Sequence, residues 1–113
     1  MERTQRLRKG TEVDTAYSKG TVVGSPLLAV RYVPNGLDVT RWGFAVGKRL
    51  AKRAVVRNRT KRRIREVARG LDVANGFDVI VVARAPALAA GHAALVEGLT
   101  AALTRAGVTG PQP

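Results

Sequence analysis

The sequence predicts a two-layer α+β sandwich with elements in the order α-β-β-α-β-α and three substantial strands. Three patterns predict it. From Arg53 onward Val56, Thr60, Ile64 and Val67 recur at about 100° per residue, with Ala68 at the margin, so this stretch is a helix with one buried stripe. Phe77 to Arg84, FDVIVVAR, is the most apolar and β-branched segment and is bounded by turn residues. Between Arg41 and Lys48, Trp42, Phe44 and Val46 alternate with Gly43, Ala45 and Gly47, which is the two-residue period of a strand. A chain of 113 residues has room for one domain, residues 1–113, and one modest core.

Residues 1–10 are polar and basic and are expected to form a mobile arm. Thr11 to Lys19 fits a short helix, with Thr11 as cap, Asp14 three residues on and Gly20 as its stop. Leu27 to Val33 follows as a strand, with Tyr32 on the same face as Leu28 and Val30. Pro34-Asn35-Gly36 is a turn signal, and Arg41 to Lys48 is the antiparallel partner expected beyond it. Gly70 ends the basic helix, and Asn75-Gly76 turns the chain into Phe77 to Arg84. A strand apolar on both sides belongs in the middle of a sheet or under helices. Pro86 closes it, and Ala90 to Ala106 is a second amphipathic helix with Leu95, Leu99, Ala102, Leu103 and Ala106 as its stripe. Residues 107–113 are expected to fray.

Charge is the other dominant feature. The run from Lys48 to Arg69 holds eleven cations around one acid, Glu66. Arg57, Lys61, Arg65 and Arg69 descend the side of the helix opposite its apolar stripe, flanked by Asn58 and Arg62. Like charges four residues apart each cost about a few tenths of a kcal/mol, and no alternating acids relieve them, so the face is expected to meet a polyanion rather than water alone. From Arg53 to Arg69 arginine outnumbers lysine seven to one. The planar guanidinium matches a phosphate with two hydrogen bonds, whereas lysine offers a point charge. A formal charge of +12 and a sequence pI near 11.6 make nucleic acid the economical partner, since phosphate neutralisation releases counterions.

Other classes are excluded or unsupported. Cysteine is absent, which removes disulfides and thiolate metal sites. No apolar stretch approaches a membrane span of about 18 residues, and the basic N-terminus lacks a signal-peptide core, so the expectation is cytoplasmic with no membrane partner. Hydrolysis by the protein itself would need paired carboxylates, a metal-ligand cluster or a nucleophile with its base. The eight acids have no such spacing, and the lone histidine, His92, opens an Ala-rich helix as a structural or surface residue. No catalytic or metal-binding residue is expected.

The stretch RWGFAVGKRLAKRAVVRNRTKRRIRE from Arg41 resembles the protein component of bacterial ribonuclease P. That family's Arg-Asn-Arg helix corresponds to Arg57-Asn58-Arg59, followed by Lys61, Arg62 and Arg65. The strand ending in Val46-Gly47-Lys48-Arg49, the later FDVIVVARAPA, and RLRKG ahead of a helix ending at Lys19-Gly20 fall in the family's order. The resemblance covers nearly the whole chain. It implies an α/β sandwich with a rare left-handed β-α-β crossover, of a type shared with a domain of one small-subunit ribosomal protein.

It also implies a role. The family's protein accompanies a large catalytic RNA that removes the 5′ leader of precursor transfer RNA, with Mg2+ held mainly by RNA and none bound by protein alone. The implied stoichiometry is a monomer in a 1:1 ribonucleoprotein. By resemblance, Arg57, Asn58, Arg59, Lys61, Arg62, Arg65 and Arg69 contact the catalytic RNA, joined by Lys48, Arg49, Lys52 and Arg53 before the helix. The single-stranded leader lies in a cleft between the first helix and the sheet, at Val13, Tyr17, Arg31, Gly43, Ala45 and Gly47. Here the chain departs from the family, which usually has aromatics at the positions of Val13 and Tyr17 and often at Arg31. Tyr17 can stack on a base; Val13 cannot.

Alternatives stand beside these assignments. The smooth Gly43, Ala45, Gly47 face suits either a packed helix or an extended ligand. Tyr17 fits a core anchor as well as a stacking platform, and Arg84 fits a phosphate ligand as well as a cap on the sheet. A structural RNA-binding protein of ribosome or ribonucleoprotein assembly would share the charge and a similar fold. A DNA-binding regulator would need a helix-turn-helix or a dimerisation segment, and neither is recognisable.

Overall fold

The computed structural model describes residues 7, 15, 16 and 20–108. Four strands, β1 (Thr21–Gly24), β2 (Leu28–Pro34), β3 (Arg41–Ala45) and β4 (Phe77–Ala83), form one mixed sheet in the order β1-β2-β4-β3. Helices α1 (Ala54–Arg69) and α2 (His92–Ala106) complete the two layers, with a single 3-10 turn, Ala85–Leu88, leading into α2. The α+β class and the element order agree with the sequence reading.

Strand pairing differs from it in one respect. β3 does not return beside β2; it runs parallel to β4, with Trp42 opposite Val79 and Phe44 opposite Val81, while β2 pairs antiparallel with β4 and β1. The expected hairpin partner is therefore corrected. The turn residues explain why: Asn35 donates its backbone N–H to Gly76 and its side-chain amide to Val39 O and Asp78 Oδ1, so the Pro34-Asn35-Gly36 corner locks β2 onto the start of β4. β4, apolar on both faces, takes the central position its composition predicts. β1 is a fourth strand that the sequence reading lacks. It is a short edge strand with two exposed residues, and its alternation is too brief to register as a pattern. β3 also stops at Ala45 rather than Lys48, because Gly47 O accepts the N–H groups of Leu50 and Ala51 and closes a turn.

One sheet face makes the core. Leu28, Val30, Val79, Val81 and Trp42 are buried there against Ile64, Val67 and Ala68 of α1 and Leu95, Leu99, Ala102 and Leu103 of α2, the stripes the periodicity predicts. Tyr32 and Phe77 meet edge to face at 6.3 Å on its margin. α1 has no side-chain cap and no acid in its first turn, so its stability comes from this buried stripe rather than from its ends. Gly107, with φ +74°, ends α2 in the left-handed conformation, and Val108 behind it is fully buried, its carbonyl accepting from Ala74 N. The expected fraying therefore does not hold for residues 107 and 108.

The opposite face carries Arg31, Ile80 and Gly43 in one row and Gly24, Ala29, Val82 and Ala45 in the next. Leu7 donates its N–H to Trp42 O on the free edge of β3, and its side chain lies where a Cβ on Gly43 would make contact. At residue 7, at least, the expected mobile arm is a packed segment. Thr15 and Ala16 are helical and Gly20 N–H donates to Ala16 O, with a Cβ at Gly20 falling 2.1 Å from that oxygen; only glycine fits this stop. Val13 and Tyr17, assigned to the leader cleft, lie outside the described residues.

Candidate nucleic-acid interface

The amphipathic division of α1 fixes the site. Because Thr60, Ile64, Val67 and Ala68 are turned into the core, Asn58, Arg59 and Arg62 project into solvent. Among the described residues neither Arg59 nor Arg62 has a hydrogen-bond or ion-pair partner, so both guanidiniums keep their full donor set. Lys48, Arg49, Lys52 and Arg53 are exposed on the turn that leads into the helix and extend the same cationic surface past its uncapped N-terminus. Backbone N–H groups and cations thus present one sign of potential.

Other sequence-assigned cations have structural duties as well. Arg57 donates through Nη1 to Ala51 O and Lys52 O, both at 2.8 Å, and so ties the incoming turn to the helix. Arg65 lies over the Phe44 ring at 5.6 Å, and Phe44 is stacked in turn on Trp42 at 6.0 Å. Its Nε is buried without a partner, so the side chain is held by the ring and its remaining donors are aimed rather than mobile. Arg69 pairs with Glu66 at 2.9 Å in the open, a contact of little energetic weight. Lys61 is half-buried.

The sequence reading assigned no role to Arg63, whose guanidinium donates to Ala90 O and fastens α1 to the segment before α2. No sequence signal separates it from its neighbours. At the foot of the sheet Arg41 grips buried Asp78 with two hydrogen bonds of 2.8 Å, which makes this arginine structural.

On the other sheet face, register puts Arg31, Gly43 and Ala45 together as expected, whereas Gly47 lies beyond the end of β3 with open space around it. The choice left open for the smooth face is decided at one position: the chain's own Leu7 covers Gly43. Among the described residues no three His, Asp or Glu side chains gather into a metal-binding group, and no helix is long and apolar enough to cross a membrane.

Comparison with known proteins bears on the whole arrangement. The ribonuclease P family profile matches residues 1–107. The chain belongs to the ribonuclease P protein family. Among its relatives, the ribonuclease P protein component of Caldanaerobacter subterraneus subsp. tengcongensis is 41% identical over 85 residues, covering 74% of this chain and 72% of that protein. That of Gluconacetobacter diazotrophicus is 37% identical and covers 98% of each. The solved structure of the Staphylococcus aureus ribonuclease P protein superposes with a TM-score of 0.79 at 31% identity, over 93% of this chain and 97% of that one. Membership in the ribonuclease P family carries its role in maturing the 5′ ends of transfer RNA, and makes the chain a partner of ribonuclease P RNA.

Proposed function

We propose that this chain docks on the catalytic RNA of ribonuclease P through α1 and the Lys48–Arg53 turn, and guides the single-stranded 5′ leader of precursor transfer RNA across the open face of its sheet. The observation that carries this is that Arg59 and Arg62 are exposed and, among the described residues, unpaired, on a helix whose other side is locked in the core. Arginines left free in this way meet phosphates without first breaking protein contacts, at a cost of about 0.5–1.5 kcal/mol to order each side chain. In this reading hydrolysis belongs to the RNA. In the same reading Mg2+ is held mainly by the RNA, and the protein's part is to bind and orient the two RNAs. The complex is one protein on one RNA, working in the cytoplasm.

Protein purified free of RNA is expected to cleave no precursor, and to restore cleavage at low magnesium when added to the catalytic RNA, because its cations relieve repulsion between the two RNAs. Cleavage by the protein alone, or no rescue at low magnesium, refutes the reading.

A further inference from the structure

Where the arginines of α1 are held, they are held by oxygen: Arg57 by Ala51 O and Lys52 O, Arg63 by Ala90 O, Arg69 by the Glu66 carboxylate. Arg65 is the exception. Its guanidinium lies over the Phe44 ring, 5.6 Å from the ring centre, and its buried Nε has no hydrogen-bond partner. Among the described residues no acid reaches it, and Lys61 and Arg69, one turn to either side, add only like charge.

The ring is built to stay where it is. Phe44 sits on the core face of β3, opposite Val81, but β3 is an edge strand and the ring remains half-buried. Two residues away on the same face, buried Trp42 lies parallel to it within 3°, with centroids 6.0 Å apart. The stacked indole and the strand backbone together fix the plane that Arg65 meets.

An aromatic face attracts a guanidinium through its quadrupole and carries no net charge. Arg69 shows the alternative: a carboxylate holds a guanidinium by neutralising it, and a phosphate must displace that carboxylate to bind. A ring orients the fork and leaves its charge and outer N–H donors available. Ordering the side chain then belongs to folding rather than to binding.

We infer that Phe44 is a positioning residue for RNA docking, its Trp42-backed ring holding the Arg65 fork ready for a phosphate of the catalytic RNA without neutralising it. This deepens the docking role proposed for α1 and rests on it.

The test measures binding of the full chain to the catalytic RNA over a salt series, for Phe44→Leu, Phe44→Tyr, Arg65→Ala and the Phe44→Leu/Arg65→Ala double variant. Phe44→Leu keeps an apolar side chain and every cation. Its affinity should fall roughly three- to tenfold, the cost of ordering one side chain, with the salt slope unchanged. Arg65→Ala should lose roughly tenfold and reduce the salt slope by about one, and the double variant should bind no worse than Arg65→Ala. Phe44→Tyr, which keeps the ring face, should bind as wild type does. In the free wild-type protein the Arg65 Nε–H NMR signal should be shifted upfield by the ring and exchange with water more slowly than that of Arg59.

If Phe44→Leu binds as tightly as wild type while Arg65→Ala does not, or if the two losses add in the double variant, Phe44 does not act through Arg65 and the inference falls while the docking role stands. A loss in Phe44→Tyr equal to that in Phe44→Leu traces the effect to packing and overturns the inference. If Arg65→Ala binds as wild type does, Arg65 meets no phosphate and the inference falls, with the docking role left to Arg59 and Arg62. An Arg65 Nε–H that exchanges as fast as that of Arg59 overturns it whether or not the variants fold.

Discussion

Replacing Arg59 and Arg62 together with alanine separates RNA docking from folding more cleanly than any other change to α1. Both side chains are exposed and without partners among the described residues, so the fold loses nothing that holds it together. Stability should stay within about 0.5 kcal/mol of wild type, because two surface substitutions toward the best helix former also thin a crowded row of like charges. Binding to the catalytic RNA should drop by about 3 kcal/mol, at about 1.5 for each exposed charge-assisted phosphate contact, or roughly a hundredfold in Kd. The slope of log affinity against log salt should shrink by about two. Arg57→Ala is the informative contrast. It removes two hydrogen bonds to Ala51 O and Lys52 O, so it should lower stability by about 1–2 kcal/mol as well as weakening RNA binding. Titration of labelled catalytic RNA over a salt series, with urea unfolding of the free proteins, measures both quantities. An unchanged Kd and salt slope in the Arg59/Arg62 double variant, with unfolding intact, would refute α1 as the docking surface.

Two further outcomes test the scaffold beneath the site. Asp78→Ala removes the bidentate partner of the Arg41 guanidinium and one of the two acceptors of the Asn35 amide, and should cost about 3 kcal/mol in urea unfolding, since removing one member of a buried ion pair is strongly destabilising. A loss below about 1 kcal/mol would mean that water replaces the carboxylate there. Ile64→Ala empties a fully buried position under α1 and should destabilise by about 2–5 kcal/mol, with RNA affinity at low temperature unchanged because the exposed arginines keep their places; weaker RNA binding by folded protein would show that the two faces of α1 are coupled.

The sequence alone determined what depends on local period and composition. The stripe of Val56, Thr60, Ile64 and Val67 sets which side of α1 is buried, but the opposite row read from the period is not the freest one: Arg57, Lys61 and Arg65 are half-buried, and Asn58, Arg59 and Arg62 are exposed. The doubly apolar FDVIVVA belonged in the middle of a sheet or under helices, and the ordered motif around Arg57-Asn58-Arg59 was enough to indicate the family. Tertiary structure decided what depends on partners distant in the chain. A turn signal at Pro34-Asn35-Gly36 predicts a hairpin, but Asn35 bonds to Gly76 and Asp78, and the central strand's two hydrogen-bonding edges take β2 on one side and β3 on the other. β1 exists because β2 offers it an edge, not because four residues prefer to be extended. Among twenty cations of similar local surroundings, only packing distinguishes Arg63 on Ala90, Arg65 on Phe44 and Arg41 on Asp78 from Arg59 and Arg62 in solvent. A long, flexible guanidinium reaches several ångströms from its Cα, so its partner is chosen by whatever the fold brings within that radius, and no sequence spacing records it.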